Sequence, residues 1–210
     1  MNELLEMLTG GNLQSDGRAN KVADRVVAHP HLLDQLVQGL SEADDVIHAR
    51  TAHALERISR THPELVISLL PRLMELALDD AVPMVRWHMA MIFANLPLPS
   101  GTVNAVLSTL FQMLEDTSVF VKSWAIVALT ILGRKHRMKC KKIAAQLRRL
   151  QNDRSVAIRS KVIKALKVLG SDDEPIPAGW VKAEGFFKSP RAGKRRSRPS
   201  TIDTPYLKQQ

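Results

Sequence analysis

A twelve-residue phrase returns four times along this chain, at residues 47–58, 85–96, 121–132 and 158–169, with a spacing of 36 to 38 residues. Each copy opens on an aliphatic residue (Ile47, Val85, Val121, Ile158) and closes eleven positions later on Ile58, Leu96, Leu132 or Leu169. The opener and the fourth, seventh, eighth and eleventh positions after it lie on one face of a helix, so the phrase predicts a recurring amphipathic helix. A period of this length marks stacked helical hairpins, in which no repeat can bury its apolar face without its neighbours. The architecture is thereby tightly constrained and the partner hardly at all.

The residue after each opener reads His48, Arg86, Lys122 and Arg159, and six positions before it stand Glu42, Asp80, Asp116 and Asp153. The acidic residue falls in the turn ahead of the helix, where it can accept hydrogen bonds from free N–H groups and favours the positive end of the helix dipole. The basic residue, one turn into the helix, could reach an acidic turn in its own repeat or in a neighbouring one. A first helix is predicted before each turn. In the second repeat residues 61–64 (Thr-His-Pro-Glu) read as a start, with Thr61 as cap, followed by helix over 65–78 with a kink or break at Pro71. The corresponding stretches are 31–40, 102–114 and 138–150. A weaker extra repeat is expected at 19–27, where Ala19, Val22, Ala23 and Val26 share one face.

On these residues the chain resembles the HEAT-repeat proteins of the armadillo-like α-solenoid class. The resemblance rests on Asp80/Arg86, Asp116/Lys122 and Asp153/Arg159 and covers about residues 15–170. It implies an all-α, right-handed superhelix of about five helical-hairpin repeats, with those pairs forming a ladder along the inner turns. Copy one, with Glu42 and His48, departs from the family pattern at that rung. The expected organisation is an N-terminal cap segment over 1–14, the solenoid over 15–170 and a basic, largely disordered tail over 171–210. Trp180, Phe186 and Phe187 in that tail are expected to fold back over the end of the last repeat, the alternative being a docking motif.

Charge is distributed unevenly. Residues 1–133 carry a net −6, residues 134–170 a net +12 and residues 171–210 a net +3. The chain has one cysteine, Cys140, which fits a reducing compartment and is expected to be a buried small hydrophobe. Residues 1–13 hold two glutamates, no basic residue and no long apolar run, unlike a signal peptide. A cytoplasmic location is expected, or a nuclear one if the source has a nucleus, and no membrane insertion.

Positions one, five and eight after the motif's basic residue should leave the core together and line the concave side. They read Ala49, His53 and Glu56; Trp87, Met91 and Ala94; Ser123, Val127 and Thr130; Ser160, Lys164 and Lys167. A protein or peptide partner is expected there, on a stripe around Trp87, His88, Met91, Trp124 and Val127, which makes the chain a non-enzymatic scaffold or adaptor. The bland alternative buries Trp87 and Trp124 between repeats. A second functional reading gives DNA or RNA to Lys141, Lys142, Arg148, Arg149, Lys161 and Lys164, through phosphate contacts that position without reading sequence. Self-association of the acidic front with the basic end is a third. Some solenoids of similar kind are alkylpurine DNA glycosylases, but the stripe offers Glu56 as its only carboxylate, far from the basic end. Catalysis is therefore disfavoured. No cofactor is expected, and His29 and His31 have no neighbours that would complete a metal site.

Overall fold

A computed structural model describes residues 2–185 of the chain. Eleven α-helices occur among the described residues: α1 (Glu3–Glu6), α2 (Ala19–Ala28), α3 (Leu33–Gln38), α4 (Asp45–Thr61), α5 (Pro63–Val66), α6 (Leu70–Asp79), α7 (Pro83–Asn95), α8 (Val103–Met113), α9 (Val119–Lys135), α10 (Cys140–Arg148) and α11 (Val156–Gly170). There is no strand among them, and no described helix is long and apolar enough to cross a membrane. The inner layer is α2, α4, α7, α9 and α11, each packed on the next in chain order, and α6, α8 and α10 pack behind it. This is an all-α solenoid.

The four copies of the phrase are α4, α7, α9 and α11. Their openers Ile47, Val85, Val121 and Ile158 are fully buried or nearly so. In the middle of the stack burial is broader than an amphipathic stripe. Nine of the thirteen residues of α7 are buried, as are eleven of the seventeen of α9. Each of these helices is covered on one side by the outer layer and on both flanks by inner neighbours, so little of its circumference meets water. Close approach is set by small residues: a Cβ added at Gly133 of α9 would stand 2.4 Å from Leu169 Cδ2 of α11.

The first helices are less regular than the pattern predicts. At Pro71 the predicted break is present, with α5, a 3-10 turn at Ile67–Leu69, and then α6 with the proline in its first turn. Similar 3-10 turns at Pro30–Leu32 and Arg137–Lys139 precede α3 and α10. Thr61 is not a cap. It is the last residue of α4, and His62 ends that helix while Pro63 begins the next.

The ladder joins repeats to one another. Arg86 sets its guanidinium on the Asp116 carboxylate of the next repeat (Nε–Oδ2 2.7 Å, Nη2–Oδ1 3.1 Å), and Lys122 Nζ reaches Asp153 Oδ2 at 2.7 Å. Each acceptor also takes a turn N–H, from Ser118 and Ser155 respectively, and Asp80 takes that of Val82. The ammonium of Lys122, followed by the Ser155 N–H, holds the Asp153 carboxyl below its ordinary range. The departing copy still forms a rung, because His48 Nε2 lies 3.1 Å from Asp80 Oδ2. Its approach is out of line for a hydrogen bond, so this rung is an ion pair only when His48 is protonated. Glu42 takes no part, and Asp44 caps α4 through the N–H groups of Val46 and Ile47. Arg159 donates to the Asp153 carbonyl of its own turn at 2.7 Å, as Arg86 also does to the Asp80 carbonyl of its own.

At the front of the stack, Leu4, Leu5 and Leu8 join the core. The loop behind them is organised by Arg50 of α4, which is 4% exposed. Its guanidinium donates to the carbonyls of Leu8, Thr9, Gly10, Asn12 and Ser15 at 2.7 to 3.4 Å. Gly17 is required beside it: φ is +53°, and an added Cβ would lie 2.6 Å from Arg50 Cζ. Replacing Arg50 with Met should lower unfolding free energy by about 2–4 kcal/mol, since it leaves five carbonyls short of a donor. Arg50→Lys should not restore it, because one ammonium cannot span that fork. Urea denaturation of the three proteins checks this.

Candidate partner-binding groove

The inner layer does not present the stripe that spacing predicts. Ala49, Glu56, His88, Met91, Ala94, Val127 and Thr130 are buried, with Val127 at 1% exposure and Met91 at 7%. The reason is the side-by-side packing of α4, α7 and α9, which turns these positions toward the adjacent helix rather than toward an open concavity. Only towards the last repeat does the stripe open, where Ser160, Lys164 and Lys167 are exposed. Trp87 and Trp124 are half-buried. Trp87 packs against His88 and against Phe120 of the following repeat, with ring centroids 5.7 and 5.3 Å apart. Phe120 itself is 65% exposed, and spacing gave it no role.

Beneath this face α4 and α7 share a polar cluster. Glu56 is fully buried and receives Arg60 through three contacts of 2.6 to 2.9 Å, while Asn95 of α7 donates to Glu56 Oε1 (3.3 Å) and Ser59 Oγ (2.9 Å). The carboxylate is thus engaged in joining two repeats. Burial makes it unfit for the role of stabilising a cation on substrate. Beside it His53 and His88 meet edge to face at 5.1 Å, and His88 Nδ1 lies 2.7 Å from the Met84 carbonyl. Burial, then the neighbouring His53, pushes His88 down to about 3. Burial also lowers His53, against the pull of Asp16 and Glu56.

Residues 171–185 have a defined path, in contrast to the free tail expected there. Arg134, at the end of α9, donates to the carbonyls of Ser171 (3.1 Å), Asp172 (2.8 Å) and Glu174, and Arg137 pairs with the Asp172 carboxylate at 2.8 Å. Ile176, Trp180 and Val181 then pack on the core. Lys161 Nζ lies 5.9 Å from the Trp124 ring centroid and 5.5 Å from that of Trp180, and Lys182 Nζ lies 5.9 Å from the Trp124 ring. Finally the Glu184 N–H donates to the Arg60 carbonyl of α4 at 2.9 Å. The segment therefore runs back from the last repeat toward the first, across the inner layer. Trp180 folds back as expected but onto this face, and Ile163 of α11 stays 52% exposed. Phe186, Phe187 and the basic stretch 191–200 lie outside the described residues.

The basic residues are divided rather than gathered. Lys141, Lys142 and Arg148 on α10 and Arg149 at its C-terminal end are exposed, in the outer layer, with Ile143 and Leu147 buried beneath them. Lys142 stands over Phe111 at 5.7 Å, and Arg149 approaches Glu115 at 3.7 Å. Lys161 and Lys164 belong to α11, in the inner layer. Two further cations are used on backbone: Arg134 as above, and Lys135, whose Nζ donates to the Ala94 (2.8 Å) and Leu96 (3.3 Å) carbonyls at the end of α7. Burial lowers Lys135 to about 8. Helix ends accept such cations readily, so part of the positive excess serves internal caps. Cys140 is buried and donates to the Gly133 carbonyl at 3.1 Å.

The histidine pair generates a pH dependence. His88 in the folded chain binds its proton only near pH 3, against 6.5 when unfolded, so its contribution to stability is intact above 6.5 and is lost as pH falls toward 3. Between pH 6.5 and 5 the loss should be about 2 kcal/mol. His88→Gln should flatten this limb, leaving the smaller slope due to His53; urea midpoints at pH 7, 6 and 5 measure it.

No family model and no curated protein matches the sequence. Thirteen chains of solved structure do match. One is a designed armadillo repeat protein, 20% identical, with a TM-score of 0.56 over 79% of this chain and 80% of that one. At that identity the likeness is one of fold: the chain has an armadillo-like repeat architecture.

Proposed function

We propose that this protein is a non-enzymatic repeat adaptor that takes an extended protein segment on its inner layer, in the region of Trp124, Lys161 and the Arg60 carbonyl. The observation that carries this reading is that the inner layer already accommodates a non-helical stretch of polypeptide, which turns at Pro177–Trp180 and is held by a main-chain hydrogen bond, ring–cation contacts and apolar packing. An armadillo-like fold is typical of protein-binding scaffolds, which supports the same class of role. Of the predicted stripe, Trp124 and the half-buried Trp87 are the contacts we retain, while His88, Met91 and Val127 act beneath the surface as packing. We further infer that the repeats are of HEAT type, on the Arg86–Asp116 and Lys122–Asp153 rungs. In this reading residues 1–14 cap the stack and residues 15–170 form it.

Fluorescence anisotropy against a panel of extended peptides tests the proposal. Some members should bind, and Trp124→Ala with Lys161→Glu should weaken them by about tenfold or more. The reading is overturned if no peptide binds in a Trp124-dependent way. The outer face would take its place if DNA or RNA bound with steep salt dependence that Lys141/Lys142/Arg148/Arg149→Glu abolished and Trp124→Ala did not.

A further inference from the structure

The stretch of chain that lies on the inner layer has two parts of different character. Its root, residues 171–174, is clamped: Arg134 takes three main-chain carbonyls, and Arg137 takes the Asp172 carboxylate. Its outer part, residues 175–184, carries one cross-layer main-chain hydrogen bond, from the Glu184 N–H to the Arg60 carbonyl. Apart from its own turn, in which the Trp180 N–H donates to the Pro177 carbonyl at 3.2 Å, it relies on half-buried apolar contacts of Ile176, Trp180 and Val181 and on ring–cation pairs. A strap that is firm at its root and weakly held beyond it can lift without disturbing the stack.

The contacts of the outer part are reciprocal in chemistry. The groove supplies a cation, Lys161, to the strap's ring, Trp180 (5.5 Å), and a ring, Trp124, to the strap's cation, Lys182 (5.9 Å). Lys161 also lies 5.9 Å from the Trp124 ring, so both groove partners belong to one site. A ring and a cation with one residue between them satisfy that site together, and the Arg60 carbonyl then reads main chain without regard to side chain. Val181, between them, packs on the core.

We propose that residues 175–184 are a built-in competitor for this groove, and that the groove's partner is an extended peptide bearing an aromatic residue with Lys or Arg two positions after it. The proposal rests on the peptide-groove reading above and deepens it. The covalent link gives the strap a high effective concentration, so a free peptide binds only in proportion to the fraction of molecules in which the strap is lifted. A partner therefore either exceeds the strap in complementarity or meets a chain whose strap is drawn away.

The test uses the full chain and an end-labelled synthetic peptide of residues 175–185 as probe. The Trp180→Ala/Lys182→Ala chain should bind this probe about tenfold or more tightly than the unaltered chain, and adding Trp124→Ala should abolish the gain. Trp180 and Lys182 lie outside the helices, so the helical circular dichroism of the doubly substituted chain should be unchanged. In the unaltered chain, saturating probe should also speed amide exchange at Glu184 by about tenfold or more, as its bond to Arg60 is released. Equal affinity of the two chains, lost with Trp124→Ala, overturns the competitor and leaves the groove. A probe that binds neither chain, while other peptides still bind at Trp124, overturns the assigned chemistry. Unaltered protection of Glu184 overturns displacement. Failure of the groove itself is recognised separately, by the absence of any Trp124-dependent peptide.

Discussion

Everything in this molecule depends on the inner helices lying flank to flank. A solenoid has no closed core, so each repeat owes its stability to the interface with the next. Here that interface is unusually complete in the middle of the stack, where α7 and α9 are buried around most of their circumference. Small residues make it so, among them Ala90, Ala94, Ala125 and Ala128, together with Gly133 against Leu169. The same packing closes the stripe that would otherwise have formed a deep concavity.

Cations finish what apolar packing begins. Arg50 gathers five carbonyls of the front loop, Lys135 takes the carbonyls at the end of α7, and Arg134 takes those of the strap root. Each satisfies acceptors that a helix end or a loop leaves without an N–H. Arg86 and Lys122 each bind the carboxylate of the following turn, and both rungs are well shielded from water. A strongly basic last repeat thus reads differently in three dimensions. Some of its charge is structural, some faces outward on α10, and some borders the groove on α11.

Much of the fold was legible from residues alone, since period and helical-face spacing are local properties. The openers, the break at Pro71, the extra helix expected at 19–27 and the burial of Cys140 all follow from such patterns. The groove was legible only in part. Spacing can say that Met91 and Val127 share an angle on their helices, but whether that angle meets water or a neighbour depends on interhelical distance. His48 illustrates the same limit: the family pattern asks for Arg or Lys, and only the placement of Asp80 reveals that an imidazole can take that position. The strap had a trace in the sequence, in Trp180, but its direction did not.

By itself, the sequence determined a stack of helical hairpins, their order and the residues that tie one turn to the next. These are short-range matters, governed by helix periodicity and by turn chemistry within a repeat. Tertiary structure alone decided which positions of the inner layer remain accessible, which cations are used on backbone carbonyls, and that residues 171–185 return across the stack to Arg60. Those depend on contacts between residues far apart in sequence, 37 to 42 positions for the bonds of Arg134 to Ser171, Lys135 to Ala94 and Arg50 to Leu8 and well over a hundred for Glu184 to Arg60, where no local preference of either partner specifies the meeting.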